Sequence, residues 1–171
     1  MLLISLAKLL TNGGKASGVD VWESTEQRKK LNKSTRTRQL VLSNAEIEGV
    51  SDRITIIGGD PRNLPFKTGS ADIVVAMKLF HHLSAGSSQR TLVSMCRVCK
   101  PGGYVYIHDF WRISNIRSML TRFGMEEVKV IHSSKFIPTA KLVIFRKPEG
   151  LEERLSELDE VKKASEKNYP S

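Results

Sequence analysis

The chain has 171 residues, of which 40% are hydrophobic and 26% charged, so it fits one domain with an ordinary globular makeup and a core it can bury. Its 12 glycines, 6 prolines and 2 cysteines exclude collagen-like, disordered and disulfide-scaffold proteins. Lys and Arg number 27 against 18 Asp and Glu, and the net charge of +9 favours anionic partners without naming one.

No run reaches the roughly 20 apolar residues that cross a bilayer, since Met1 to Leu10 is interrupted by Ser5 and Lys8. A secretory leader would place basic residues ahead of its apolar stretch, which this N-terminus does not do, so a cytoplasmic location is expected.

In chain order, Leu2, Leu3, Leu6, Leu9 and Leu10 recur at helical spacing, and Thr11-Asn12-Gly13-Gly14 supplies a stop. Ala16 to Val21 reads as a short strand carrying an acid, Thr37 to Glu48 as a helix closed by Gly49, and Arg53 to Ile57 as the next strand. Turn residues from Gly58 to Pro65 lead to Ala71–Met77, whose near-continuous apolarity predicts burial on both faces. Gln89 to Cys99 is the next helix, ended by Lys100-Pro101-Gly102-Gly103 before a strand from Tyr104 to Asp109. Ser114 is placed to cap a helix whose Ile116, Met119, Leu120 and Phe123 share a face before Gly124. Glu127 to Ile131 and Lys141 to Phe145 have no helix between them, which predicts an antiparallel hairpin. Leu151, Leu155, Leu158 and Val161 mark a last amphipathic helix. Strands alternating with helices predict an α/β fold with a doubly wound, mostly parallel sheet, whose ligand lies at the carboxyl ends of the strands.

The acids stand at those ends. Asp20, in Gly18-Val19-Asp20, can accept hydrogen bonds from the vicinal hydroxyls of a ribose, or it can be a solvated, helix-initiating acid. Asp60, in Gly59-Asp60 ahead of Pro61-Arg62-Asn63-Leu64-Pro65-Phe66, can accept from the amino group of a base, or can simply form an Asp-Pro turn.

Order and spacing tie these pieces together: an acid after one strand, Gly-Asp after the next, Gly69 to Met77 entering a third, His81-His82-Leu83 after it, and Arg97 to Gly103 before a fourth. On these residues the chain resembles the class I S-adenosylmethionine-dependent methyltransferases. The likeness covers residues 1–147 as a Rossmann-like methyltransferase domain, leaving 148–171 as a C-terminal helix and tail. The terminal hairpin adds weight, because that family inserts its last strand antiparallel. The resemblance implies S-adenosylmethionine as cofactor. Asp20 would hold its ribose, Asp60 the adenine amino group, Val21 and Pro61 would flank the ring, and Met77 would approach the methionine part.

Methyl transfer from a sulfonium is an in-line displacement that positioning can drive, so the resemblance requires no catalytic triad. Met77-Lys78-Leu79-Phe80 stands where methyltransferases acting on nucleic-acid amino groups carry Asn/Asp-Pro-Pro-aromatic, which leaves a small-molecule acceptor ahead. His81 or His82 can deprotonate a substrate or orient a loop, and His108-Asp109 has the same two readings.

One family feature is not in the chain. The glycine-rich loop, acid-x-Gly-x-Gly-x-Gly, precedes the helix that Met1 opens, and Gly13-Gly14 follow that helix instead. The expectation is an N-terminally truncated domain whose first strand lies upstream, with a donated strand or direct pairing of Gly18–Val21 to Ile73–Met77 as other ways to fill the sheet. The alternative to an enzyme is a non-catalytic, methyltransferase-like subunit that binds a protein or RNA. It draws on the basic run Arg28, Lys29, Lys30, Lys33, Arg36 and Arg38, which has no interleaved aromatic residue for base stacking. Cys96-Arg97-Val98-Cys99 has metal-knuckle spacing without a second pair, so no metal is expected and both thiols should pack as small apolar groups.

Overall fold

The computed structural model describes residues 2–20, 34–132 and 140–151. The chain divides into two compact units, Met1–Pro61 and Arg62–Ser171.

The first unit contains α1 (Leu2–Leu9), β1 (Ala16–Asp20), α2 (Ser34–Ile47), a 3-10 turn (Ser51–Arg53) and β2 (Ile54–Gly58). β1 and β2 run parallel, in register from Ala16 opposite Ile54 to Asp20 opposite Gly58. Ile4, Ala7, Ala45 and Val50 form its core, with Ala16 and Ile54 packed against them. The buried face of α1 is therefore centred on Ile4 and Ala7, not on the expected leucine stripe, and Leu9 is 77% exposed. Leu3 explains part of the packing: a Cβ on Gly18 would come within 2.8 Å of its Cδ2, so glycine lets helix and strand approach. Asn12 and Gly13 take left-handed backbone after α1, and Gly49 does so after α2.

The second unit contains β3 (Ala71–Met77), a 3-10 turn (Phe80–His82), α3 (Ala85–Val98), β4 (Cys99–Asp109), α4 (Ile113–Arg122), β5 (Glu126–His132) and β6 (Lys141–Arg146). Its sheet has the order β3-β4-β6-β5. β3 and β4 are parallel, while β6 is antiparallel to both β4 and β5. The terminal hairpin inserts as expected, and the fold is a Rossmann-like α/β arrangement of mixed sheet and flanking helices. Period-two alternation puts Val105, Ile107 and Asp109 on the buried face of β4. They join Val143 and Phe145 of β6, Leu92 and Val98 of α3, and Ile116 and Leu120 of α4, all buried. Each such apolar side chain is worth about 1.5–3 kcal/mol on burial. Ser84 caps α3, its hydroxyl accepting the Ser87 N–H at 3.3 Å.

Three local expectations are corrected. β3 is not buried on both faces: Ile73 is 55% and Met77 47% exposed, because among the described residues β3 pairs only with β4 and ends its sheet. Ser114 does not cap α4; Arg112 occupies the cap with a left-handed φ of 60° and no side-chain cap bond. Lys100-Pro101-Gly102-Gly103 does not precede β4 but lies within it, at a register irregularity opposite Ala71–Ile73. Direct pairing of Gly18–Val21 with Ile73–Met77 is not among the strand ladders of the described residues. Val21, the basic residues 28–33, the connection 133–139 and the last helix beyond Leu151 lie outside those residues.

Candidate functional site

Parallel pairing of β1 and β2 brings two carboxylates to one end of the first unit. Asp20 closes β1 opposite Gly58, and Asp60 follows β2 by two residues. The Gly59 N–H donates to the Asp20 carbonyl at 3.1 Å, extending the ladder by one bond and fixing the path of the chain into Asp60-Pro61. Asp20 is exposed and Asp60 half-buried. Two acceptor groups at the carboxyl ends of adjacent parallel strands match the donors of an adenosine, whose ribose offers two vicinal hydroxyls and whose base offers an amino group. Val21, the other predicted flank of the base, lies outside the described residues, whereas Pro61 directly follows Asp60.

The second unit has its own cluster where β3 and β4 end. Met77 is opposite His108, and the next residue, Lys78, donates its N–H to the His108 carbonyl at 2.8 Å. Lys78 has a φ of 52°, a left-handed conformation that costs a non-glycine residue free energy and is typical of functional sites. Its Nζ lies 5.2 Å from the centroid of the Phe110 ring.

Asp109 ends β4 with no exposed surface. Its Oδ2 accepts the Phe80 N–H at 2.8 Å and the His81 N–H at 3.4 Å, and its Oδ1 accepts the Phe110 N–H at 2.8 Å. The Nδ1 of His81 lies 2.9 Å from Oδ1. A carboxylate only accepts, so the His81 tautomer that fits carries its proton on Nδ1 and leaves Nε2 as the basic nitrogen. The His81 ring is stacked at a tilt on His82, with centroids 3.8 Å apart, and meets Phe110 edge-on at 5.8 Å. Arg112 ties the segment after β4 to the turn through a bond to the Leu83 carbonyl at 2.9 Å.

The sequence singles out His81 and Asp109 separately, but not the bond between them. Only the parallel neighbours β3 and β4, ending at the same level, join two residues so far apart in the chain. The left-handed Lys78 and Arg112 carry no sequence signal of their own, since neither is glycine or asparagine.

Cys96 and Cys99 are buried and free, as expected, and no group of three or more metal-ligating side chains occurs among the described residues. Of the basic run, Arg38 is described and exposed on α2. No helix among the described residues is long and apolar enough to cross a membrane.

The inserted antiparallel strand and the flanking helices define a Rossmann-like α/β fold. A family described as methyltransferase domain matches residues 4–107, and the chain belongs to it, among the class I S-adenosylmethionine-dependent methyltransferases. Solved structures agree in fold. The cyclase SpnF is similar at 16% identity and a TM-score of 0.66, over 86% of this chain and 70% of its own. An S-adenosylmethionine-dependent methyltransferase from Methanosarcina mazei matches at 17% identity and a TM-score of 0.61, over 85% and 86% of the two chains. A TehB-like methyltransferase from Corynebacterium glutamicum matches at 15% identity and a TM-score of 0.60, over 85% and 73%. A cyclase among these neighbours illustrates that the fold alone does not fix the reaction.

Proposed function

We propose that the protein binds S-adenosylmethionine through Asp20 and Asp60 and transfers its methyl group to a small-molecule acceptor. The observation that carries this reading is the pair of carboxylates at the ends of adjacent parallel strands, in a chain of the methyltransferase family. Asp20 accepts from the ribose hydroxyls, Asp60 accepts from the adenine amino group, and Val21 and Pro61 flank the ring. Met77 is assigned to the methionine part on the resemblance. The cofactor supplies an electrophilic methyl carbon on a sulfonium, and the chain's own contribution is orientation. A small-molecule acceptor follows from Met77-Lys78-Leu79-Phe80, which lacks the motif that would grip a nucleic-acid amino group.

Calorimetric titration of the 171-residue protein with S-adenosylhomocysteine tests the reading. Binding is expected, and Asp20→Ala or Asp60→Ala should each weaken it about tenfold or more, the effect of losing a charged hydrogen bond worth about 1.5–3 kcal/mol. Unchanged affinity in both variants would rule out the assigned contacts. Binding of a nicotinamide dinucleotide in place of the homocysteine ligand would rule out the cofactor.

A further inference from the structure

We infer that the second unit docks on an anionic lipid surface through the end of its sheet where β3, β4 and β5 finish and β6 begins. The surface belongs to that unit alone and does not depend on the methyl-transfer reading.

Topology sorts the charges. Met77 stands opposite His108, and Lys141 stands opposite both Asp109 and His132, so these residues share one end of the sheet. Lys78 and Arg112 follow β3 and β4 there, both exposed, and Lys141 opens β6. The exposed acids among the unit's described residues lie at the opposite end: Asp72 near the start of β3, Glu126 and Glu127 at the start of β5, and Glu149 after β6. Three of them are matched by cations, Asp72 by Lys100 at 2.7 Å, Glu127 by Arg117 at 2.6 Å and Glu126 by Arg146 at 3.6 Å. At the first end the one carboxylate among the unit's described residues is Asp109, which is fully buried. None of the ion pairs among the described residues involves Lys78, Arg112 or Lys141. The acidic and basic residues exposed at this end are therefore all cationic.

Apolar groups interleave with these cations. Met77 is 47% and Trp111 71% exposed. The Nζ of Lys78 lies 5.2 Å from the centroid of the Phe110 ring, and Trp111 is the next residue, so cation and aromatic groups are contiguous. Arg112 is anchored by its bond to the Leu83 carbonyl at 2.9 Å, which fixes the chain beside Trp111. Lys78 and Arg112 both keep a left-handed backbone, a conformation that costs a non-glycine residue free energy and is retained where function uses it.

This pattern selects the partner. An anionic bilayer attracts clustered Lys and Arg, and its interface takes the amphipathic ring of tryptophan. Long cationic side chains keep their heads among lipid phosphates while their stems lie along apolar neighbours such as Met77. Single-stranded nucleic acid would need several exposed rings on which successive bases stack. Trp111 is the one exposed Trp, Tyr or Phe among the unit's described residues.

The 171-residue protein is sedimented with vesicles of phosphatidylcholine alone and with vesicles containing about one third phosphatidylserine. Binding to the anionic vesicles at low salt, its loss at high salt, and little binding to the neutral ones are expected. Each surface cation contributes about fivefold, so Lys78→Glu combined with Lys141→Glu should weaken binding about 25-fold or more. Lys67→Glu with Arg122→Glu makes the same change of net charge ahead of β3 and at the close of α4, and should leave binding nearly unchanged. Trp111→Ser, at an exposed side chain, should weaken binding severalfold with an unaltered circular dichroism spectrum. The chain has two tryptophans, so in Trp22→Phe protein the emission comes from Trp111 alone and is expected to shift to the blue on anionic vesicles. Equal binding to both vesicle types, binding to neither, or Trp111 emission that stays unshifted would each overturn the inference. So would binding that survives the Lys78 and Lys141 changes but is lost on Lys29→Glu with Lys30→Glu, which would place the contact on the basic run. Salt-sensitive capture of single-stranded RNA without vesicle binding would overturn it in favour of nucleic acid.

Discussion

The side-chain nitrogen of Lys147, a residue with no exposed surface, donates to the backbone carbonyl of Cys99 at 2.8 Å. The same lysine exchanges backbone bonds with the glycines that follow: its carbonyl accepts the Gly102 N–H at 2.7 Å and its N–H donates to the Gly103 carbonyl at 2.9 Å. Three bonds thus clamp the irregular beginning of β4 to the residue that follows β6. The arrangement puts a lysine near two thiols, which by itself would favour thiolate.

Burial outweighs that attraction and predicts inert cysteines. Desolvation pushes the Cys96 thiol up to about 12, reinforced by Cys99 and only partly opposed by Lys147. Burial likewise pushes Cys99 up to about 11 against the pull of Lys147. Native protein at pH 8 is expected to resist iodoacetamide over a time in which unfolded protein is alkylated at both sites, as counted by mass spectrometry. Rapid labelling of either thiol in the folded state would contradict the packing.

Gly103 is expected to tolerate no side chain. A Cβ there would lie 2.8 Å from the Asp72 carbonyl, 2.9 Å from the Lys100 carbonyl and 3.0 Å from the Cys99 Sγ. The first is a backbone atom of β3 and the second a backbone atom of β4 itself, so Gly103→Ala must shift β3 or distort the irregular start of β4, at a cost of about 1–3 kcal/mol. Gly86, exposed in the first turn of α3 with nothing within 4 Å of its added Cβ, is the contrasting case. Gly86→Ala should stabilise by about 0.4–1 kcal/mol through the unfolded chain. Urea midpoints moving in opposite directions for the two variants are the expected result.

The strand-end positions of Asp20 and Asp60 were legible because each closes or follows a short run read as a strand. The hairpin of β5 and β6 was legible from two apolar runs without a helix between them. The exposure of β3 was not. An apolar run records side-chain character, whereas burial depends on how many strands flank it, and among the described residues Ile73 and Met77 stand on a strand that pairs on one side, which composition does not encode. The α4 cap escaped for a different reason. Ser114 has the favoured side chain, but the segment from Asp109 enters the helix through a left-handed Arg112 anchored on Leu83, so a long-range bond sets the helix start. The His81–Asp109 pair belongs to the same category of contacts made by topology.

The ion pair between α4 and β5 predicts a specific dependence on acid. Arg117 donates from Nε to Glu127 Oε2 at 2.6 Å and from a terminal nitrogen to Oε1 at 2.8 Å, a bidentate geometry. The hydrogen bond from Arg117 holds the Glu127 carboxyl below its ordinary 4.5, with desolvation opposing. A carboxyl depressed in the folded state stabilises the fold above its unfolded value, and that contribution disappears as pH falls through the folded value. The side chains are 42% and 31% exposed, so solvent screening keeps the pair's worth small. Glu127→Gln should therefore lower stability by about 0.5 kcal/mol at pH 7 and low salt. The difference between the two proteins should shrink in high salt and vanish below the folded ionisation range of Glu127, where both carry a neutral side chain. Urea titrations at pH 7 and pH 3 measure it, and a gap that widened on acidification would show that the substitution disturbs packing and does not merely remove a charge.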